Sequence, residues 1–213
     1  MRVAAVPESR RVNLGRPDDP AAAAEWLRGG GIVAFPTDTF YGLAVDPASP
    51  AAVRRLFDLK GRDARAALPL VAASTRQVET LCGRMGSTEA RLAARFWPGP
   101  LSLVFDAPAS LAPEVHAGRR SIAIRVPGHA LARSLCEAFG APVTATSANR
   151  SGEPPAREAA GLGWLADDPH VLIVDGAAPG GAPSTIVDAR GSRPVLVRDG
   201  AIAWERVLES LQE

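Results

Sequence analysis

Lysine is nearly absent from this chain: Lys60 is the only one among 24 basic residues, and all the others are arginine. Two cysteines, three histidines and one tyrosine are almost as sparse, and asparagine occurs only at Asn13 and Asn149. Each shortage excludes something. Cys82 and Cys136 lie in helix-like apolar contexts without metal-ligand spacing, so both read as plain buried thiols. His116, His129 and His170 are scattered, with no nucleophile or second ligand beside them, which argues against a catalytic triad or a zinc site. Uninterrupted apolar runs reach only about five residues, far short of the roughly 20 a membrane helix needs. The opening "MRVAAVPESRR" also lacks the apolar core of a signal peptide, so a cytoplasmic location is the default expectation.

Charge imbalance is missing too. A net charge of +1 gives no global drive toward nucleic acid or an anionic membrane, and any phosphate recognition must come from local clusters. The phosphate-loop pattern GxxxxGK[ST] does not occur. "GLGWLA" (161–166) matches the dinucleotide pattern only loosely and follows a helix-like segment instead of a strand.

What is present is an ordinary globular composition, 46% apolar and 22% charged over 213 residues, with no seam, repeat or low-complexity tract. One domain spanning 1–213 is expected. Against a background of arginine, Lys60 places a compact ammonium where a point charge could meet an oxyanion, although an Ala- and Arg-rich composition alone would also leave few lysines.

Asp18 and Asp19 before "PAAAAEWLRGGG" read as a capped helix ending in glycines, and "GIVAF" (31–35) reads as a strand that empties into "PTDTFYGL". Ser49-Pro50 opens a helix, "AAVRRLFDLKG", that stops at Gly61 and sets Lys60 at an exposed helix end. "LPLVAAS" (68–74), "LSLVFD", "SIAIRVP" (121–127), "PVTAT" (142–146), "VLIVD", "STIVD" and "PVLVR" read as strands, with helices between several of them. Strands follow both strands and helices, so a mixed sheet with helices packed on it is expected. Alternation in "SIAIRVP" turns Ser121 and Arg125 to one face.

Strand ends and loops therefore carry the chemistry: "PTDTFYGL", "KGRDAR", "SIAIRVP", "TSANRSGEPP" and "PSTIVD". They offer hydroxyls, a Lys-x-Arg pair and a further arginine, a set suited to an anion with several oxygens. Turn chemistry and capping would account for any one of these segments taken alone.

In order, "AFPTDTFYGL", "LKGR", "FWPGPLSLVF", "IAIRVP", "TSANRSGEPP" and "PSTIVD…VLVRDGAI" resemble the YrdC-like family, the L-threonylcarbamoyl-AMP synthases of tRNA modification. The resemblance runs from about Gly29 to Ile202, within a motif-bearing region of about 18–202, and is to the single-domain form. It implies an α/β (α+β) fold, a twisted mixed β-sheet flanked by helices with a concave basic cleft. The implied reaction joins L-threonine, bicarbonate and ATP, with Mg²⁺ accompanying the nucleotide, to give threonylcarbamoyl-adenylate and pyrophosphate. The product feeds N6-threonylcarbamoyladenosine formation at position 37 of tRNA, so tRNA and downstream transferase proteins are the implied partners.

Carried over residue by residue, the resemblance implies that Thr39, Ser121, Arg125 and Ser184 bind L-threonine. It assigns ATP to Lys60, Arg62, Ser147, Asn149 and Arg198, with Lys60 and Arg62 as the catalytic pair. Two departures stand out. Asp63 replaces the usual proline after Lys-x-Arg, and Leu68 precedes Pro69-Leu70 where relatives carry a polar residue, with Arg65 a candidate substitute. Ala73, with Ser74 beside it, occupies a second position that is commonly polar.

Two other readings compete. An RNA-binding or ribosome-associated module could use a basic cleft, but the scarcity of aromatics disfavours base stacking. A carbamoyl-adenylate enzyme of the hydrogenase-maturation type would carry zinc-finger cysteines and an acylphosphatase-like domain, neither of which this sequence has.

Overall fold

A computed structural model describes residues 11–12, 19–61 and 65–212. Among them, helix α1 (Asp19–Arg28) ends in the glycine run and leads into β2 (Ile32–Pro36). β2 is buried on both faces, which is why it reads as a continuous apolar run. Its partners are parallel β9 (Val171–Val174) on one side and antiparallel β3 (Tyr41–Ala44) on the other. A short β1 (Arg11–Val12) flanks β9. Asp18, expected to help cap α1, lies outside the described residues.

Helix α2 (Pro50–Lys60) is bounded as its sequence dictates. The Ser49 hydroxyl accepts from the Ala52 amide, Pro50 fills the first turn, and Gly61 adopts the left-handed stop at φ 58°. Farther on, α3 (Thr75–Cys82) is capped by Ser74, and α4 (Ser87–Phe96) leads into β5 (Leu101–Asp106). A single turn, α5 (Pro113–His116), precedes β6 (Ser121–Arg125). Helix α6 (Ala130–Phe139) then ends on left-handed Gly140. "GLGWLA" belongs to a short 3-10 segment, Ala159–Leu165.

The strands form two mixed sheets where the sequence suggested one. The first has the order β1-β9-β2-β3-β8, with β8 at Thr146–Ser147. The second includes β4 (Leu70–Val71), β7 (Val143–Thr144), β10 (Thr185–Asp188) and β11 (Val195–Arg198), in the order β11-β10-β5-β6-β4-β7. "PVTAT" is the reason for the difference. Val143–Thr144 pairs with β4 in the second sheet, and after the single residue Ala145 the chain re-enters the first sheet as β8 (Thr146–Ser147), paired with β3. Thr144 locks that crossing: its amide donates to the Val45 carbonyl at 3.2 Å, and its hydroxyl accepts from the Val45 amide at 2.9 Å.

One core draws on both sheets and α2 and is built around Leu43, Leu56, Leu103, Ile122 and Ile124. A second lies under α1 and α6, where Leu27, Val33, Phe35, Leu135 and Val174 meet. Cys136 belongs to this second core, and burial pushes its thiol up to about 12; Cys82 is half-buried and pushed up to about 11. Both cysteines are free, as expected. No helix among the described residues is long and apolar enough to cross a membrane. The last helix, α7 (Trp204–Glu209), buries Val207.

Candidate active site

The polar stretch after β2 is the turn of a hairpin. Pro36 pairs with Tyr41, leaving Thr37 to Phe40 as the connection. Thr37 holds this turn from within: its hydroxyl donates to the Phe40 carbonyl at 2.8 Å and lies 3.4 Å from the Thr39 amide. Tyr41 is back in a strand, fully buried, with its hydroxyl 2.9 Å from the Val174 carbonyl and 2.8 Å from that of Gly176. The strand "YGLA" was not legible in the sequence because it contains a glycine and no β-branched residue.

This turn is one wall of a cavity of about 550 Å³ between the two sheets. The opposite wall is one face of the second sheet. Ser121, Ala123 and Arg125 of β6 line it, as the alternation of "SIAIR" requires, beside Ser102 and Val104 of β5 and Ile186 of β10. Ile186 stands opposite both Ser102 and Arg198, so these three form one row across the sheet. Ala145 to Ser147, at the crossing between sheets, and the Gly181–Ser184 segment complete the enclosure.

Among the described residues, three arginines line this space, Arg119, Arg125 and Arg198, and no carboxylate does. Arg125 is buried and held from behind: it donates to Asp38 at 2.5 Å and to the Thr37 hydroxyl at 3.2 Å. Asp38 accepts in addition from the His129 amide at 2.5 Å, at the start of α6. Burial pulls the Arg125 pKa down from its ordinary value, and the charge and hydrogen bond of Asp38 push it back up. Arg198 is exposed at the end of β11, yet partial desolvation of its guanidinium lowers its pKa, and so, in second place, does the positive charge of Arg125. Two cations that repel each other across a shared space favour an anion between them.

Arg198 also shapes the wall. Its Nε and Nη2 donate to the Ser184 carbonyl at 3.1 and 2.7 Å, and Nη2 donates to the Ser184 hydroxyl at 2.9 Å.

Lys60 is where expectation and structure part. It does not sit at an exposed helix end; it is 4% exposed and absent from the cavity lining. Its ammonium donates to the Ser147 carbonyl, to the Asn149 carbonyl at 2.7 Å and to Asn149 Oδ1 at 3.2 Å. Asn149 Oδ1 accepts from the Ser147 hydroxyl as well, at 2.5 Å. The sequence grouped Lys60 with Ser147 and Asn149 as phosphate contacts; the structure brings the three together, with Lys60 bonded to the backbone of their loop. Burial follows because α2 packs through Leu56 and Phe57 into the core, carrying its last turn under that loop. Arg62 and Asp63 lie outside the described residues.

The family model for Sua5, YciO and YrdC proteins, described as "Telomere recombination", matches residues 25–200. The chain belongs to the Sua5/YciO/YrdC family. It is 40% identical over 164 residues to the threonylcarbamoyl-AMP synthase of Thiobacillus denitrificans, covering 76% of this chain and 87% of that protein. It is 39% identical over 194 residues to the threonylcarbamoyl-AMP synthase of Bacillus subtilis, covering 89% of this chain and 56% of that one. The chain thus spans little more than half the length of the Bacillus relative and most of the Thiobacillus one. Among solved structures, Pyrococcus abyssi Sua5 complexed with L-threonine aligns at a TM-score of 0.84 and 34% identity, covering 94% of this chain and 60% of that one.

In this member of the Sua5/YciO/YrdC family, Thr39, Ser121, Arg125, Ser147, Ser184 and Arg198 line a single cavity, while Lys60 and Asn149 stand just behind its Ser147 wall. Arg198, grouped with the ATP residues in the sequence, bonds to Ser184 of the threonine set. Leu68 is a buried apolar wall and Arg65 does not line the cavity. At Ala73 the backbone amide is taken by Gln77 Oε1 at 2.7 Å. Three contributors went unread: Thr37, Asp38 as the partner of Arg125, and Ser102. The period-two pattern of "LSLVF" held the signal for Ser102, since it puts that hydroxyl on the same side of its strand as Val104.

Proposed function

We propose that this chain is an L-threonylcarbamoyladenylate synthase, a nucleotidyltransferase that supplies N6-threonylcarbamoyladenosine formation at position 37 of tRNA. The observation that carries the reading is the pair Arg125 and Arg198 facing a cavity lined by Thr39, Ser121, Ser147 and Ser184, with no carboxylate among the described residues that line it. The names of the relatives and the L-threonine in the Pyrococcus structure support it.

The chemistry needs no covalent nucleophile. The amine of L-threonine takes up bicarbonate with loss of water, and the resulting carbamate oxygen attacks the α-phosphorus of ATP. The bond to the β-phosphate oxygen breaks and pyrophosphate leaves. Alignment and charge neutralisation are what such a displacement requires. Arg125 pairs with the threonine carboxylate while Asp38 and Thr37 fix its plane. Thr39, Ser121 and Ser184 supply hydroxyls around the amino acid, and Ser147 supplies one toward the nucleotide. Lys60 and Asn149 set the shape of that nucleotide loop, and Arg62 follows Lys60 in the chain as a further phosphate contact. Mg²⁺ enters as part of the Mg²⁺–ATP substrate, coordinated by phosphate oxygens. The described residues hold no group of three or more His, Cys, Asp or Glu able to bind it. The labile mixed anhydride produced suits a transferase that hands the threonylcarbamoyl group to tRNA.

Purified protein given labelled bicarbonate, L-threonine and Mg²⁺–ATP should release pyrophosphate and form a labelled adenylate only when threonine is present. ATP turnover indifferent to threonine, or RNA binding without turnover, overturns the proposal.

A further inference from the structure

Ser102 is a buried hydroxyl, 2% exposed, on a central strand of the second sheet, where an apolar residue would pack equally well. It faces the cavity, and its oxygen lies 3.0 Å from the hydroxyl of Ser184. Among the described residues Ser184 Oγ is its only hydrogen-bond partner. Ser184 is closer to the ligand space, at 8% exposed, and already accepts from Arg198 Nη2 at 2.9 Å.

Proton accounting sets the direction of the serine pair. If Ser184 donated to Ser102, the Ser102 proton would have no acceptor among the described residues and would have to reach the cavity from the more deeply set of the two hydroxyls, 2% against 8% exposed. If Ser102 donates, both hydroxyls are served. Ser184 Oγ then accepts twice, from Ser102 and from Arg198, so both its lone pairs are occupied. Its own proton is left to point into the cavity.

We infer that Ser102 is a positioning residue that, together with Arg198, makes Ser184 an obligate donor and thereby selects an acceptor oxygen of the substrate at that wall. The inference rests on the synthase reading, in which the acceptor is an oxygen of L-threonine or of the carbamate formed from it. The row placement of Ser102, Ile186 and Arg198 across three neighbouring strands holds both donors on the sheet whose strand β10 begins directly after the serine they orient. A hydroxyl so constrained loses little freedom when substrate arrives.

The test compares Ser102→Ala and Ser102→Thr with the wild-type chain by calorimetric titration of L-threonine and by steady-state KM for threonine and for ATP. Ser102→Ala should weaken threonine roughly five- to tenfold, leaving the KM for ATP nearly unchanged. Ser102→Thr keeps the hydroxyl on a strand that tolerates branching and should restore threonine binding. A purely structural role would move thermal stability and both KM values together, without rescue by threonine at position 102. Should Ser102→Ala fail to fold, Ser102→Cys carries the same comparison, since a thiol is a weak donor of similar size. Wild-type binding matched by Ser102→Ala or Ser102→Cys overturns the inference alone. A wild-type chain that binds no L-threonine and forms no adenylate overturns the synthase reading, and the inference with it.

Discussion

Arg125 and Lys60 are both buried cations beside the same cavity, yet they are built for different tasks. Arg125 presents its guanidinium to the space and is steadied from behind by Asp38 and Thr37. Lys60 is absent from the lining, and its ammonium steadies Ser147 and Asn149, which face or flank the space. The side chemistry matches the task. A planar fork can hold Asp38 with one arm, Thr37 with another and still offer an edge to a carboxylate, whereas a small tetrahedral ammonium can gather several carbonyls around one point. A cation at a binding site either touches the ligand or builds what does, and with both equally buried it is the partners of their donors that tell the two apart.

The sharpest way to break this contrast is Arg125→Ala. It should raise the KM for threonine roughly a hundredfold, with far less effect on ATP, because it removes the charge that pairs with the substrate. It also strands Asp38, so stability should fall by about 3–5 kcal/mol in chemical denaturation. Adding Asp38→Asn should recover part of that stability and none of the threonine binding.

Next in size is Lys60→Met, which keeps the length of the side chain and removes its donors. Leaving the Ser147 and Asn149 carbonyls without the ammonium should cost about 1–3 kcal/mol of stability, and slackening of the loop should raise the KM for ATP more than that for threonine. A variant that melts like the wild type but loses turnover would mean that Lys60 acts on the nucleotide directly, and the contrast would fail.

The smallest effect is expected from Tyr41→Phe. Its hydroxyl ties β3 to the end of β9 and to Gly176 just beyond it, so the loss should be about 0.5–1.5 kcal/mol in denaturation, with neither KM moving as far as in the variants above.

These cases also show what the sequence could and could not convey. The face shared by Ser121 and Arg125 was legible because strand alternation is a local rule. The boundaries of α2 were legible because Ser49, Pro50 and Gly61 act on their immediate neighbours. The singularity of Lys60 was visible, but its direction depended on a loop 87 residues away in the chain. Asp38 looked like a turn residue for the same reason: its partner Arg125 is brought by tertiary packing. The two-sheet arrangement was hidden because one residue, Ala145, divides a stretch that reads as a single strand.

That single residue has a mechanical meaning. Thr144 pairs with β4 of the second sheet while bonding to Val45 beside β3, and Thr146–Ser147 pair with β3 of the first, with no loop between them to take up slack. Widening the gap between the sheets must pull on two consecutive peptide units and so displace Ser147. The aperture that admits substrates and the placement of a hydroxyl that meets them are therefore geared together, like a jaw whose hinge carries one of its own teeth.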